Sequence, residues 1–464
     1  MEALDLTALT AAEIVERVHD GRLSAVEVAR AHLARIAERE PWVGAFQEHT
    51  PERVLAEAGA VDSRPDRFAL PLAGVPVAVT DNVDVAGYPT RHGSAATSGE
   101  PARRDDELVK RLRGAGAVMI GKTRMSELGI WGFTHSALGV TRNPLDLELD
   151  PGGSSGGGAA AVAAGMAVLA LGTDGGGSIR IPAAYCGVVG LKPGTGVVPL
   201  PGGAPEHWCG LTAAGPIART AADAALMLGV LSGRGDAEQR DIDSGDLWPA
   251  RIALSLRDPS PSPIGRLHTD HRAAAVGAAA RLRAEPGGAT VAVADPPYPR
   301  NLASLWTRRW QAGVASDLAD LGLDDTDVEH RTATLARKGR RVLRFRPPYP
   351  EAAAVWRERF LDWLDAGGHD MLLTPAVASP PLRAGALLGR RYLPTLLVSA
   401  VRAPYTQAWN LAGLPAVVAP VTVRGAPVGV QLVGRPGDEP KLLAAAARLE
   451  WRAVPALAAS ARGR

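Results

Sequence analysis

The chain has 464 residues, of which 46% are apolar, enough for one large α/β core or two to three ordinary ones and too many for a wholly disordered or fibrous protein. Its 51 Lys and Arg stand against 49 Asp and Glu, leaving a formal charge of +2 and no block of like charge, so nucleic acid is not an expected partner. Cys186 and Cys209 are the only cysteines, which suits packed thiols in a reducing compartment and argues against a disulfide framework or a structural metal.

The N-terminus carries Glu2 and Asp5 where a secretory signal would carry basic residues. The longest apolar run, 158–172, falls short of the ~18 residues of a spanning helix. A soluble, cytoplasmic protein that does not bind membranes is expected.

In chain order, Thr10 with Glu13 and Ser24 with Glu27 match capping boxes ahead of apolar residues at helical spacing, predicting two helices, the second closed by Pro41. Residues 72–79 form a short apolar run that reads as a buried strand ending at the polar Thr80-Asp81-Asn82. An amphipathic helix is predicted over 105–115, then a strand over 117–120. Glycines and serines are densest from Pro151 to Gly196, where an Ala-rich helix is predicted from about Ala159, between two glycine-flanked serines. After Gly233 charge rises, and Trp306, Trp310, Trp356 and Trp363 appear at helical spacings that favour core or pocket wall. Residues 417–421 and 427–433 read as strands before a last helix near Glu439. Helix alternating with apolar strand argues for an α/β layer architecture, and no repeat or long linker divides the chain.

Three motif readings compete. Gly116 to Thr123 fits GxxxxGK[ST], but Ala117-Val118-Met119-Ile120 is an apolar run that belongs inside a sheet, whereas a phosphate cradle needs a bent, polar loop. Gly153-Ser154-Ser155-Gly156-Gly157 fits GxSxG, with Ser155 as nucleophile and His369 as a partner, yet the preceding 144–150 alternates polar and apolar, unlike a central strand. The third reading uses both serine clusters. Three glycines before Ser178 remove every Cβ, so backbone N–H groups can converge beside its hydroxyl as an oxyanion hole requires. Ser154, in a second loop of the same character, could relay a proton.

Pro151-Gly152-Gly153-Ser154-Ser155-Gly156-Gly157, Gly172-Thr173-Asp174, Gly176-Gly177-Ser178-Ile179-Arg180-Ile181-Pro182, Cys186-Gly187 and Gly190-Leu191-Lys192-Pro193 closely resemble the signature of the amidase signature family. Gly74-Val75-Pro76, Asp81-Asn82, Gly121-Lys122-Thr123, Asn143-Pro144, Gly215 to Arg219 with Asp223, Asn410 to Pro415 and Gln431 to Pro436 resemble its other recurrent stretches.

The resemblance implies an α/β fold with a large mixed β-sheet covered by helices on both faces. It makes 1–464 a single domain and leaves 240–365 as a divergent helical insertion lining the pocket. It also implies a hydrolase acting on an amide or related acyl bond, without cofactor or metal, whose partner is a small-molecule amide or acyl substrate; a homodimer is left open. By this resemblance Ser178 is the nucleophile, Ser154 the bridging serine, and the amides of Gly175, Gly176, Gly177 and Ser178 the oxyanion hole. Ser155, Asp174 and Arg180 are supporting residues.

The family's catalytic lysine stands directly before Asp81-Asn82, where this chain has Thr80, a hydroxyl with no basic nitrogen. Impaired or altered catalysis is therefore expected, and the alternative is a ligand-binding or accessory descendant without catalysis. Of five lysines in all, Lys122 and Lys192 fall inside the stretches that resemble the family, but both already match other lysine positions of the family. In the amidotransferase branch an acidic residue precedes the Asn-Leu-Ala-Gly-Leu-Pro stretch; residues 402–407 hold no carboxylate, so ammonia-channelling partners are not expected.

Overall fold

The computed structural model describes residues 4–235, 248, 250–261 and 265–449. Both capping boxes form: Thr10 Oγ1 accepts from Glu13 N at 3.2 Å while Glu13 accepts from Thr10 N at 2.9 Å, and Ser24 and Glu27 repeat the exchange at 3.2 and 2.8 Å. Pro41 does not close the second helix. That helix runs Ala25–Val43 with Pro41 inside its last turn, and ends where Gly44 takes a left-handed conformation (φ 63°) and donates to Glu40 O at 2.9 Å.

Thirteen strands are described: β1 Phe46–Glu48, β2 Pro76–Thr80, β3 Val118–Thr123, β4 His135–Ser136, β5 Gly139–Val140, β6 Leu169–Asp174, β7 Val189–Lys192, β8 Ala213–Ala218, β9 Arg251–Leu254, β10 Thr290–Val293, β11 Met371–Pro375, β12 Ala416–Val423 and β13 Ala426–Val433. β4 and β5 form a small hairpin, and the other eleven make one mixed sheet in the order β1-β3-β2-β6-β8-β7-β12-β13-β11-β9-β10. β2 runs parallel to β3 and β6, whereas β6, β8, β7, β12 and β13 alternate antiparallel.

Side chains along each strand alternate between two apolar layers. Val77, Val79, Leu169, Leu171, Val417 and Ala419 meet the helices Ala221–Ser232, Thr269–Ala284 and Glu439–Ala447. Ala78, Ala170 and Val418 meet the helices Gly156–Ala163 and Arg180–Cys186 on the other face. The sheet is thus covered on both sides, as expected from the sequence.

Of the stretch 240–365, residues 240–247, 249 and 262–264 lie outside the described residues; the rest is not purely helical, since besides the helices Thr269–Ala284, Leu302–Asp320, His330–Phe345 and Glu351–Ala366 it adds β9 and β10 to the sheet edge. Residues 118–123 are a fully buried strand, which removes the phosphate-loop reading. The Ala-rich helix begins at Gly156, three residues earlier than its alanines suggest, because the glycines permit close packing. A Cβ on Gly157 would lie 2.5 Å from the carbonyl oxygens of Ala45 and Arg124. Among the described residues no helix is long and apolar enough to cross a membrane.

Candidate active site

β6 delivers Asp174 to the sheet's end, and everything that follows is organised on its carboxylate. Asp174 Oδ1 accepts from Gly177 N at 2.7 Å and Oδ2 from Ile179 N at 3.2 Å, folding the Gly175 to Ser178 turn back on itself. Arg180 grips the same carboxylate with Nε at 2.9 Å and Nη2 at 3.0 Å, and its remaining donors reach Asn410 Oδ1 (2.6 Å), Gln431 Oε1 (2.7 Å) and Thr406 O (3.0 Å). Asp174 and Arg180 are both fully buried. Burial pushes the Asp174 carboxyl up, but Arg180, Asn410 and Lys192 outweigh it and bring its pKa to about 2. A charged pair this deep holds only because each donor and acceptor is used.

The three glycines admit bulky neighbours. A Cβ on Gly175 would lie 2.6 Å from the Trp208 ring, one on Gly176 2.6 Å from Trp306, and one on Gly177 2.5 Å from Thr406 Oγ1. Trp306 Nε1 donates to Gly175 O at 3.0 Å and Thr406 Oγ1 to Gly176 O at 2.6 Å, so the turn is pinned from outside. Of the four amides nominated for an oxyanion hole, that of Gly177 is occupied by Asp174. Those of Gly175, Gly176 and Ser178 meet no acceptor among the described residues.

Ser154 and Ser155 lie alongside. Ser155 N donates to Ser178 O at 3.1 Å, and Ser155 Oγ exchanges bonds with the Thr173 backbone at 3.3 Å in each direction. The Ser155 hydroxyl is thus held by main chain, and no strand runs directly into its loop, so the nucleophile-elbow geometry is missing. His369 instead packs on Trp363, next to β11.

The Ser154 loop has its own anchors, which sequence reasoning did not single out. Asp150 accepts from Gly152 N (2.8 Å) and pairs with His135 Nδ1 (3.1 Å), and Thr134 Oγ1 donates to Gly152 O (2.7 Å) and accepts from Gly156 N (3.1 Å). The Gly153–Ser154 peptide is cis.

Thr80 ends β2 on the face of Ala78, the one covered by the helices that follow Ser154 and Ser178. It is fully buried, and its Oγ1 lies 3.8 Å from Met125 Sδ. Met125 in turn adjoins Gly129, whose added Cβ would meet both Met125 Cε (2.8 Å) and Ser154 Oγ (3.3 Å). A thioether therefore lies between the Thr80 side chain and the neighbourhood of Ser154.

Lys122 is no substitute. It pairs with Val79, which places it on the opposite face of the sheet from Thr80, where Nζ meets Thr90 Oγ1 (3.1 Å) and Asp81 Oδ1 (3.7 Å). Burial pushes the Lys122 ammonium down and the Asp81 carboxyl up, each opposed by the other's charge. Lys192 is fully buried, donates to Pro193 O at 2.7 Å, and is brought to about 7 by burial and by Arg180.

Ser178 opens on a cleft of about 190 Å³ whose walls include Trp131, Trp208, Trp306, Trp310, Ile181 and Leu396. Of the four tryptophans picked out from the sequence, Trp306 and Trp310 line this cleft and Trp356 is core; Trp363 packs half-buried against Phe360. Gln407, at the start of the helix Gln407–Ala412, also faces the cleft. Among the described residues no three His, Cys, Asp or Glu gather as metal ligands.

Ser178, the Ser154 loop bonded beside it and the buried Asp174–Arg180 pair all lie within residues 27–443, the stretch that the amidase family model matches. The chain belongs to the amidase signature family. It is 43% identical over 463 residues to a Mycobacterium tuberculosis protein described as an amidase, AmiB2, covering 97% of each. It is 33% identical to the acylamidase of Rhodococcus erythropolis, covering 97% of this chain and 96% of that one. Among solved structures it resembles 6-aminohexanoate cyclic dimer hydrolase bound to its substrate, with a TM-score of 0.85 and 29% identity over 98% of this chain and 100% of the other.

Proposed function

We propose that the chain cleaves the amide bond of a small, largely apolar acyl amide through Ser178, with Ser154 relaying protons and without the family's lysine base. The arrangement of Ser178 between unoccupied amides at the floor of an apolar cleft is the observation that carries this reading.

Attack by Ser178 Oγ on the carbonyl carbon would place the developing oxyanion against the amides of Gly175, Gly176 and Ser178. Ser178 passes its proton to the Ser154 hydroxyl, which gives up its own proton to the leaving nitrogen. The C–N bond then breaks, the amine departs, and an acyl ester remains on Ser178. Water hydrolyses that ester to the free acid, returning the proton to the Ser178 oxygen through the same pair.

Thr80 stores no proton in this cycle, since a hydroxyl is not basic at neutral pH. The relay must therefore be concerted, and slower than one served by a neutral amine by on the order of 10³ or more. The AmiB2, acylamidase and cyclic-dimer hydrolase relatives support amides as the substrate class.

The test is turnover of a simple acyl anilide by the wild type and by Ser178→Ala. Expected are a rate above the uncatalysed one in the wild type and its loss in the variant. Tight anilide binding with no turnover in either protein would support the second reading, a binding descendant, for which the isolation of Thr80 against Met125 is the motivating observation.

A further inference from the structure

The tryptophan-walled cleft has a neighbouring groove that shares part of its wall. Ala303 and Thr307, on the helix Leu302–Asp320, line both that cleft and a second, more open groove of about 520 Å³ that also takes in Arg308, Gln311, Arg341, Phe345 and Arg346. The groove lies where that helix meets His330–Phe345. Gly339 fixes the contact, since a Cβ there would sit 1.8 Å from Gln311 O, so Arg308 and Arg341 leave their helices from a rigid crossing. Trp306, one turn along from Ala303, is bonded to the Gly175 carbonyl, which ties the same helix to the catalytic turn.

The charges around the groove are unevenly matched. Asp325 pairs with Arg337 and Arg340, Glu329 with Arg331, and Arg309 donates to the Tyr349 carbonyl. Arg308, Arg341 and Arg346 have no such partner among the described residues, and no carboxylate lines the groove. Phe345, 68% exposed, adds an apolar wall beside them. Arg308, next to the shared Thr307, Arg341 on the facing helix and Arg346 just past the end of that helix bring three unmatched guanidinium groups to one groove, a receptor for a planar anion.

We propose that this groove is a subsite for a carboxylate at the far end of the substrate, so that the preferred substrates are amides carrying an acidic tail on an apolar spacer. This rests on the reading of the Ser178 cleft as the amide site. The carboxylate would lie against Arg308 and Arg341 while the spacer crosses the Trp306–Trp310 wall and the amide reaches Ser178.

The test compares monoanilides of dicarboxylic acids, short to long, with their methyl esters, read by tryptophan quenching in stopped flow before turnover. At low salt the best-fitting acid is expected to bind about tenfold more tightly than its ester. High salt should shrink that advantage, and Arg308→Gln/Arg341→Gln should abolish it while leaving ester binding unchanged, which also reports an intact fold. Equal binding of acid and ester across the series, or an advantage that survives in the double variant, overturns the subsite alone. Failure of every acid and ester to bind overturns both the subsite and the amide reading of the cleft.

Discussion

The backbone N–H of Ser155 donates to the carbonyl oxygen of Ser178 at 3.1 Å, joining two loops that are far apart along the chain. The bond places the residue after Ser154 against the residue expected to attack, so the two hydroxyl-bearing turns are joined through main chain. Beneath them Asp174 fixes one turn through Gly177 and Ile179, and Thr134 fixes the other through Gly152 and Gly156.

Arg180 connects β6, β13 and the helix Gln407–Ala412 through one guanidinium. Arg180→Met leaves the Asp174 carboxylate buried without its cation, and the expected cost is about 3–5 kcal/mol. Urea unfolding of the variant should show a large fall in midpoint. A fall no greater than that of an exposed arginine would mean the pair is not structural.

The Asp174 carboxyl titrates at about 2 in the folded chain, below its ordinary value of 3.8. Above pH 4 the folded state keeps the full benefit of the ionised group. As pH falls from about 4 towards 2 the unfolded chain takes up the proton first, and about 2 kcal/mol of stability drains away. Asp174→Asn should lack this component, so its stability should fall less steeply over that window. Identical slopes in the two proteins would contradict the assignment.

Gly176→Ala places a methyl 2.6 Å from the Trp306 ring, which is itself held by a hydrogen bond to Gly175 O. Neither partner can give way without loosening the turn, and a cost of about 1–3 kcal/mol is expected together with loss of turnover. Trp306→Phe in the Gly176→Ala background should recover part of the stability by relieving the crowding. No loss in the single variant would mean that the turn is looser than its contacts imply.

Thr80→Lys restores an amine on the face of β2 that looks towards Ser154. Burial next to Met125 would lower its pKa towards neutrality and make it a usable base. Anilide turnover is expected to rise by on the order of 10³, with KM little changed. A flat rate would mean either that the strand end is aligned differently with the family or that the base is not limiting.

Much of this arrangement was legible from residues alone. The capping boxes, a strand read at 117–120 that is observed over Val118–Thr123, and the paired glycine-serine turns each follow from local chemistry. Pro41 misled because a proline in the last turn is tolerated there, and the Ala-rich helix began early because Gly156 to Gly158 serve close packing and not a turn. Asn410 and Gln431 fell inside stretches that resemble the family, but their bond to Arg180 depends on strand order, which no local pattern encodes. Trp208 carried no signal at all, since its place over Gly175 is set by the distant Asp317, which accepts from its Nε1 at 2.7 Å.

The most direct measurement is reaction of the purified protein with a fluorophosphonate, read by intact mass and peptide mapping across neutral to alkaline pH. A single adduct on Ser178, absent in Ser178→Ala and slowed in Ser154→Ala, is the expected result. No adduct in the wild type, or one that maps to Ser155 and persists in Ser178→Ala, would contradict Ser178 as the nucleophile.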